Sequence, residues 1–301
     1  MKILVTGGAG FIGTNFIHYW VRNHPRDEIT VLDKLTYAGR RENLQDLLEQ
    51  IQFIQGDICD IQVVSHAIAD CERIFHFAAE SHVDRSIENA GDFVKTNVFG
   101  TYTLLEAAKK VCIDRFIHVS TDEVYGSTLA KSFSEADPLA PSSPYSATKA
   151  GSDLLALSYY KTFGLPVIVT RSSNNFGPYQ HPEKMIPLMI LNALENKKLP
   201  IYGDGKNIRD WLYVEDNCAG IDTVAEKGTI GEIYNIGARN EFENLEIVRK
   251  ILKILGKPED LITYVQDRPG HDRRYSLQTD KITKLGWKPK IAFDEGLQKT
   301  I

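Results

Sequence analysis

The chain has few cysteines, and none of them is arranged for a disulfide framework or a metal site. Its four cysteines are Cys59, Cys71, Cys112 and Cys218, and no two of them form a CxxC pair. None lies in a Cys/His cluster with the spacing of a zinc site. We therefore expect reduced thiols, as in cytoplasmic proteins, and no bound metal.

Long apolar runs and strong positive charge are also missing. No uninterrupted apolar stretch approaches the roughly 18 residues that a membrane-spanning helix needs. The net charge of −5 at pH 7 argues against general nucleic-acid binding. Glycines follow the apolar N-terminal residues and no cleavage site is present, so we expect no signal peptide. The expected protein is cytoplasmic and binds neither membranes nor nucleic acids.

Short β-branched segments alternate with helical segments in the first half of the chain. Strands are predicted at residues 2–6, 30–33, 51–54, 73–77, 116–120 and 167–170, and helices lie between them, including 93–111 and 146–163. Such alternation forms parallel sheets, which bind ligands beyond the carboxyl ends of their strands. The sequence therefore predicts an α/β protein with a Rossmann-type doubly wound parallel sheet.

The pattern changes after about Arg171, where strands shorten and Pro and Gly become frequent in loops. We predict a second, smaller α+β domain there. Residues 211–225 resemble one more strand–helix unit of the large sheet, so the two domains should be interleaved. The larger domain is expected at residues 1–172 plus about 207–230, and the smaller one at about 173–206 plus 231–301.

A glycine-rich motif, TGGAGFIG, lies between the first predicted strand and the first predicted helix. Gly7, Gly10 and Gly13 let the backbone approach a pyrophosphate, and the helix N-terminus offers N–H groups to it. Asp33 lies twenty residues beyond Gly13, where a carboxylate accepts hydrogen bonds from ribose hydroxyls and repels a 2′-phosphate. The motif predicts NAD+ rather than NADP+, although neighbouring Lys34 weakens that preference.

Tyr145 and Lys149 are four residues apart on a predicted helix and therefore share one face. A free tyrosine has a pKa near 10, so action as a base near pH 7 requires a shift of about three units, or roughly 4 kcal/mol. A lysine ammonium one turn away and a nicotinamide cation can supply much of that shift. With the glycine motif upstream, the pair predicts oxidation of a hydroxyl group.

Asp122 and Glu123 form an adjacent acid pair just after a predicted strand. Such pairs also occur in ordinary polar turns, but Thr121 and this pair should lie at the same sheet edge as Tyr145. A redox site with an added acid and base can eliminate water as well as move electrons. Adjacent carboxylates in a dry site repel, so at least one pKa should rise. The sequence does not tell which of the two holds the proton.

These motifs together resemble the extended short-chain dehydrogenase/reductase superfamily and, within it, the dTDP-glucose 4,6-dehydratases. The resemblance covers essentially the whole chain, through TGGAGFIG (6–13), AESHVDRS (79–86), STDEVYG (120–126), YSATK (145–149), RSSNNFGP (171–178), RDWLYV (209–214) and DRPGHDRRY (267–275). The Tyr/Lys pair is shared across the superfamily, whereas the Thr-Asp-Glu triplet is far more specific to the sugar 4,6-dehydratases.

Two alternatives from the same superfamily are UDP-glucose 4-epimerase and UDP-glucuronate decarboxylase. Both use the Tyr/Lys pair, but neither needs an acid and a base for loss of water from C6, so Asp122 and Glu123 argue against them. A catalytically idle NAD sensor is a third alternative, from another functional class. It would not need Thr121, the acid pair, Tyr145 and Lys149 all to be present.

The resemblance implies a closed redox cycle on a sugar nucleotide. Tyr145 would take the proton of the C4 hydroxyl during oxidation by NAD+, and Thr121 would hold the C4 oxygen. Glu123 would then remove the C5 proton that the new ketone acidifies, and Asp122 would protonate the departing C6 hydroxyl. Reduction at C6 would give a 4-keto-6-deoxy sugar nucleotide and regenerate NAD+.

The resemblance also implies a set of binding residues, which assigns NAD+ to the larger domain and the nucleotide sugar to the smaller one. Those expected to contact NAD+ are Gly7, Gly10, Phe11, Ile12, Gly13, Asp33, Lys34, Thr36, Asp57, Ile58, Phe77, Ala78, Ala79, Ser81, Thr96, Ser120, Tyr145, Lys149 and Asn174. Those expected to contact the nucleotide sugar are Ser81, His82, Thr121, Asn174, Asn175, Lys184, Pro200, Tyr202, Arg209, Asn244, Arg268, His271 and Tyr275. Arg273 and Arg274 are expected to be surface charges or ion-pair partners.

Two further expectations concern the nucleoside and the assembly. The choice of thymidine over uridine rests on the resemblance alone, since one buried methyl group is worth about 1 kcal/mol. The resemblance also implies a homodimer built from four helices, two from each subunit, at residues 93–111 and 146–163. Apolar positions beyond the core-facing side of the second helix include Leu154, Leu155, Leu157 and Tyr159.

Overall fold

The computed structural model describes all 301 residues of the chain. Its strands are β1 (Lys2–Thr6), β2 (Glu28–Asp33), β3 (Ile51–Gln55), β4 (Arg73–His76), β5 (Arg115–Thr121), β6 (Val167–Ser172), β7 (Asn174–Phe176), β8 (Leu199–Tyr202), β9 (Ile208–Tyr213), β10 (Ile233–Ile236), β11 (Glu241–Glu243) and β12 (Ile262–Val265). Its α-helices are α1 (Phe11–Asn23), α2 (Ile61–Ala67), α3 (Val83–Glu88), α4 (Ala90–Phe93), α5 (Thr101–Ala108), α6 (Pro144–Phe163), α7 (Met185–Leu194), α8 (Val214–Lys227), α9 (Asn244–Leu255), α10 (Asp280–Lys284) and α11 (Phe293–Thr300). None of these helices combines the length and the apolar character needed to cross a bilayer.

Seven parallel strands form one sheet in the order β10-β6-β5-β4-β1-β2-β3. The chain runs outward from β1 through β2 and β3, then crosses back to β4 on the other side of β1. The strand order therefore reverses between β1 and β4, and parallel sheets of this kind bind ligands beyond the carboxyl ends of the strands at that point. This sheet confirms the predicted Rossmann-type fold.

Helices cover both faces of the large sheet and bury its strands. On one face, Phe16 and Trp20 of α1 and Ile221 of α8 pack in a core with strand residues such as Val31. On the other face, helices α2, α5 and α6 form a second core around Leu4 of β1. Strands buried on both sides account for the continuous β-branched runs in the sequence.

The smaller part of the molecule contains two small sheets, β11-β9-β7 and β12-β8, which pack with helices α7, α9 and α11. The expected strand–helix unit at 211–225 is divided between the two parts. Its strand β9 pairs with β7 and β11, where Trp211 and Tyr213 pack near Phe176 and Phe293. Its helix α8 lies on the large sheet, and β10, which we had assigned to the smaller domain, is the seventh strand of that sheet.

The segment predicted as one helix at 93–111 is not a regular α-helix. After α4 it widens into a π-helical segment, Val94–Gly100, and then continues as α5. The wide turn buries Asn97, whose Oδ1 accepts from the Glu80 backbone N–H at 2.8 Å. Its Nδ2 donates to the Glu80 carbonyl and to Thr148 Oγ1, each at 3.0 Å. Asn97 thereby ties the loop after β4 to helix α6.

Candidate active site

A large cleft opens at the carboxyl ends of the parallel strands, beside the point where the strand order reverses. Its walls are the glycine loop after β1, the loops after β2 to β6, the start of α6 and the segment that follows β7. Every position that we expected to contact NAD+ lines this cleft. The cleft therefore gathers residues that are up to 177 positions apart, from Gly7 to Lys184, into one surface.

The glycine loop is packed so tightly that side chains are excluded at two positions. Gly7 has φ +71°, and a Cβ there would lie 2.5 Å from the backbone nitrogen of Ala78. A Cβ on Gly13 would lie 2.3 Å from the carbonyl oxygen of Gly7. Helix α1 therefore begins directly against the loop, and its N-terminal N–H groups face the cleft as a pyrophosphate site requires.

Asp33 at the end of β2 is buried and holds the glycine loop. Its Oδ2 accepts from the Ala9 N–H at 2.9 Å, and its Oδ1 accepts from the Leu35 N–H at 2.8 Å. Each oxygen retains a lone pair that a ribose hydroxyl can use. The Lys34 ammonium lies 2.8 Å from an oxygen of Asp57. Because the Lys34 ammonium is already paired with this carboxylate, it is less available to bind the 2′-phosphate of NADP+ than the sequence suggested.

The acid pair lies in a short 3-10 turn, Asp122–Tyr125, directly after β5. The Glu123 N–H donates to Thr121 Oγ1 at 3.3 Å, and that hydroxyl donates to Asp122 Oδ1, also at 3.3 Å. Val124 and Tyr125 of the same turn are buried and anchor it in the protein interior. Asp122 is only 3% exposed, and its Oδ2 has no hydrogen-bond partner.

The two carboxyl groups have different electrostatic surroundings. Burial raises the pKa of Asp122 well above its usual value, and the charges of Glu123 and Asp210 raise it further. Burial also raises the pKa of Glu123, but the cations Arg268, Arg209 and Lys184 oppose that rise. The proton shared by the pair is therefore favoured on Asp122, and the negative charge on Glu123.

Helix α6 carries Tyr145 and Lys149 into the cleft. Its first turn is fixed by the Ser143 side chain, which accepts from the Ser146 N–H at 3.1 Å in a capping box. The Lys149 ammonium donates to the carbonyl oxygen of Val119 at 2.8 Å. Burial lowers the pKa of Lys149 to about 8, although the nearby charge of Asp153 partly opposes that shift.

Tyr145 is buried in the same cleft, and its pKa is shifted in the direction opposite to that of a base. Burial is the main cause, and the charge of Glu123 adds to the rise. A hydrogen bond with Thr121 lowers the pKa but does not reverse the effect. The protein alone therefore keeps Tyr145 protonated, and further positive charge is needed to turn it into a base.

The positions expected to contact the nucleotide sugar form two groups. Ser81, Thr121, Asn174, Asn175 and Lys184 line the cleft. The remaining positions do not line it: His82, Pro200, Tyr202, Arg209, Asn244, Arg268, His271 and Tyr275. Two of these, Arg268 and Arg209, lie close enough to the cleft for their charges to lower the pKa of Glu123.

Most of the second group belongs to a polar cluster between α3 and the smaller part of the molecule. Asp84 accepts from Arg268 Nη1 at 3.3 Å and from the Tyr202 hydroxyl at 3.2 Å. The Arg209 guanidinium lies 4.2 Å from the centre of the Tyr275 ring. Arg273 and Arg274 instead pair with Asp204 and Glu241 at the outer surface, as expected for ion-pair partners.

Buried polar atoms without partners occur around both groups. In the cleft they include Ser120 Oγ, Asn174 Oδ1 and Asn175 Oδ1. In the polar cluster they include Asn244 Oδ1 and Arg268 Nε. Buried polar atoms are nearly always hydrogen-bonded in folded proteins. Their concentration here fits polar ligands, a dinucleotide in the cleft and a second nucleotide beside it.

Sequence reasoning missed part of the cleft wall. Glu80, Gln180, His181 and Glu183 line the cleft, although none was expected to. The last three immediately precede Lys184, which was expected. Only the path of the chain after β7 brings them to the cleft, and no local motif predicts that path.

The chain is similar to known proteins along its full length. The family model described as GDP-mannose 4,6 dehydratase matches residues 4–300. The low-salt glycan biosynthesis protein Agl12 of Haloferax volcanii is 54% identical over 100% of this chain and 97% of its own length. The dTDP-glucose 4,6-dehydratase of Streptomyces niveus is 50% identical over 100% of this chain and 92% of its own length.

A solved structure agrees with these relatives. DesIV, a dTDP-glucose 4,6-dehydratase from Streptomyces venezuelae solved with NAD and TYD bound, matches with a TM-score of 0.98 and 49% identity. The match covers 100% of this chain and 95% of that one. These findings confirm the resemblance inferred from the motifs. The chain belongs to the GDP-mannose 4,6-dehydratase family, within the extended short-chain dehydrogenase/reductase superfamily.

Proposed function

We propose that this protein is an NAD-dependent dTDP-glucose 4,6-dehydratase, a hydro-lyase that converts its substrate to dTDP-4-dehydro-6-deoxy-glucose for deoxysugar biosynthesis. One observation carries this proposal. Two adjacent carboxyls with opposite favoured protonation states, Asp122 and Glu123, lie in the same cleft as Tyr145 and the glycine loop. An epimerase or a decarboxylase needs the redox residues but has no use for that acid and base.

The residues of the cleft fit NAD+. The Cβ-excluding loop at Gly7 and Gly13 suits a pyrophosphate, and Asp33 suits the adenosine ribose. Asp57 and Ile58, after β3, line the part of the cleft beyond Asp33, where we place the adenine. When bound, the cofactor would accept a hydride from C4 and, once reduced, return it to C6, and its oxidised form would supply a positive charge.

The chain's own residues then move the protons. Tyr145 takes the proton of the C4 hydroxyl, and Thr121 holds the C4 oxygen. Glu123, which favours the charged form, removes the proton from C5 once C4 is a ketone, and a proton returns to C5 when the hydride is delivered to C6. Asp122, which favours the protonated form, gives its proton to the hydroxyl leaving C6. Asp122 and Tyr145 are buried, and Thr121 and Glu123 are half-buried, which limits the access of water to the reacting carbons.

We propose that the polar cluster binds the nucleoside diphosphate. Arg209 and Arg268 of the cluster and Lys184 of the cleft supply positive charge, and the exposed ring of Tyr202 offers aromatic surface, while the buried Tyr275 packs against Arg209. The amide oxygens of Asn174, Asn175 and Asn244 have unused hydrogen-bonding capacity. The choice of thymidine is supported by the names of the relatives and not by any contact described above.

The test is to incubate the purified protein with dTDP-glucose without added NAD+ and to follow the sugar nucleotide by mass spectrometry. We expect a product that has lost one water and carries a C4 ketone by NMR. UDP-glucose and GDP-mannose, offered in parallel, should react more slowly. Conversion to dTDP-galactose without a change of mass would make the protein an epimerase. Release of carbon dioxide from UDP-glucuronate would make it a decarboxylase.

We also propose a homodimer formed through α5, α6 and the π-helical segment. Apolar side chains on these elements are exposed to solvent: Val94 at 52%, Phe99 at 49%, Leu154 at 60% and Phe163 at 55%. Contiguous exposed apolar surface commonly marks a protein interface. Tyr159 does not belong to this surface, because it is 5% exposed and packs in the core.

We propose that the large sheet with its helices, including β10, binds NAD+. The smaller part of the molecule, including β9, binds the nucleotide sugar.

We also propose a cytoplasmic location, which the four unpaired cysteine thiols support.

A further inference from the structure

Residues 177–184, which we call the cover segment, cross from one wall of the cofactor cleft to the other. At one end, Asn15 Nδ2 of α1 donates to the carbonyl of Pro178 at 2.9 Å. Next to it, the rings of His18 and Tyr179 stack with centroids 5.5 Å apart. At the other end, the Lys184 ammonium donates to the Ser81 carbonyl at 2.7 Å, in the loop after β4.

Glu183 lies at the centre of the contacts that hold this segment. Its Oε2 accepts from Arg85 Nε of α3 at 3.1 Å. The ring nitrogens of His181 and His82 lie 3.8 and 4.0 Å from its carboxylate. The side chain is 14% exposed although it lies at the rim of the cleft. One carboxylate therefore gathers groups from the cover segment, α3 and the turn before α3.

Tyr37 connects the same cluster to the loop after β2. The Arg85 guanidinium lies 3.7 Å from the centre of the Tyr37 ring, and the His181 ring meets that ring edge-on at 5.4 Å. Burial, and after it the charge of Glu183, raise the pKa of the Tyr37 hydroxyl. The neighbours Thr36 and Ala38 line the cleft next to Asp33. The contacts thus reach from the cover segment to the ribose-binding side of the cleft.

We propose that Glu183 is a positioning residue that, with Arg85 and Tyr37, clamps the cover segment over the cleft and so retains the cofactor throughout each turnover. This inference rests on the proposed function. In that function the electrons taken from C4 must return to C6 of the same sugar. Dissociation of the reduced cofactor between the two steps would leave an oxidised sugar nucleotide and no product. A clamp that slows dissociation keeps the two half-reactions coupled.

The test compares cofactor release in the unmodified protein and in Glu183→Gln, which keeps the shape of the side chain but removes its charge. Each protein is loaded with labelled NAD+, chased with unlabelled NAD+ and filtered at intervals, with no sugar present. We expect release from the variant to be about tenfold faster, the scale of one lost charge-assisted hydrogen bond. With dTDP-glucose, the variant should lose activity over successive turnovers and recover it when NAD+ is added.

The chain offers a matched control on its outer surface. Arg249 Nε donates to Glu259 Oε2 at 3.1 Å, the same atoms and distance as in the Arg85–Glu183 pair. Glu259→Gln should release NAD+ at the unmodified rate. Tyr37→Phe keeps the ring but removes the hydroxyl that hydrogen-bonds with Glu183. It should also speed release, which covers the case in which Glu183→Gln folds poorly.

The outcomes are separable from those for the proposed function. Release rates within twofold of the unmodified protein in folded Glu183→Gln and Tyr37→Phe would overturn the clamp. A faster rate in Glu259→Gln as well would attribute the effect to general loss of surface charge and would also overturn it. Failure of the unmodified protein to dehydrate dTDP-glucose would instead reject the proposed function, while the sugar-free release rates would still test the clamp.

Discussion

Asp122 and Glu123 carry the same functional group one residue apart, yet they face different charges. The charge of the buried Asp210 carboxylate raises the pKa of Asp122, whereas the charges of three cations oppose the rise in the pKa of Glu123. A single peptide can therefore present an acid and a base to neighbouring carbons of one sugar.

Replacing the acid should block loss of water and leave sugar oxidation intact. In Asp122→Asn we expect dehydration to fall by about 10²- to 10⁴-fold, the usual contribution of a positioned general acid. Reduced cofactor should still form when dTDP-glucose is added, as seen by absorbance. Asp294→Asn, at an exposed position in α11, is the control. Full turnover by Asp122→Asn would show that this residue is not the acid.

Replacing the base should have a different signature. Glu123→Gln should lose exchange of the C5 hydrogen with deuterated solvent, because no carboxylate remains to remove that proton. Asp122→Asn should keep this exchange, since Asp122 acts only after the C5 proton has left. NMR of recovered sugar nucleotide measures both. The reverse pattern in the two variants would exchange the roles that we assign.

The rate should depend on pH through the same groups. Glu123 must be charged, so kcat/KM should fall as pH drops through its raised pKa. Asp122 must be protonated, and the Lys149 ammonium, with a pKa of about 8, must keep its charge. We therefore expect a second decline above about pH 8, measured as kcat/KM for dTDP-glucose. A rate that stays constant to pH 10 would contradict the assigned role of Lys149.

At the scale of elements, the junction between the glycine loop and α1 leaves no room for an added side chain at Gly13. Gly13→Ala should lower the NAD+ content of the purified protein at least tenfold, because the new methyl would press on Gly7 and move α1 from the loop. The ratio of absorbance at 260 and 280 nm reports bound cofactor.

A second glycine provides the control for that variant. Gly164 ends α6 with φ +71°, and a Cβ there would meet nothing within 4 Å. Gly164→Ala should cost about 1–2 kcal/mol of stability because of its left-handed backbone, yet it should keep NAD+ bound. If both variants lose NAD+ equally, stability and not the loop geometry explains the loss.

The sequence was sufficient for the elements whose patterns are local. The strands of the large sheet, the glycine loop and the turn with the acid pair all carry their signals within a few residues. The choice of which strands pair with one another has no such local signal. β9 and β10 are similar short apolar strands, and only packing of Trp211 against one core and Ile236 against the other separates them. The π-helical segment likewise depends on Asn97 reaching Glu80 and Thr148.

The candidate site shows the same limit. Residues within motifs were predicted, since spacing alone places them at strand ends. Glu183 and Tyr37 were missed, because their roles arise from a loop that crosses the cleft and from contacts between distant segments. The raised pKa of Tyr145 was also unexpected, since burial depends on the whole cleft.

At the scale of the whole molecule, the exposed apolar surface on the π-helical segment and α6 should hold two subunits together. Leu154→Arg places a charge on this surface and should convert the dimer to a monomer at micromolar concentration, as measured by analytical ultracentrifugation. Leu129→Arg is the control, since Leu129 is 78% exposed but lies in a loop outside these helices. A monomeric unmodified protein would remove the dimer from the proposal.

The hydrogen bonds of Asp33 have a consequence for attempts to redesign the cofactor preference. The usual route to NADP+ specificity exchanges the acidic residue for a small or basic one, which relieves repulsion of the 2′-phosphate. Here the same carboxylate also anchors the glycine loop through Ala9 and the following turn through Leu35. An exchange at this position alone would loosen the pyrophosphate site for both cofactors. A successful redesign would have to supply a second acceptor for the Ala9 N–H, so selectivity and loop architecture would have to be engineered together.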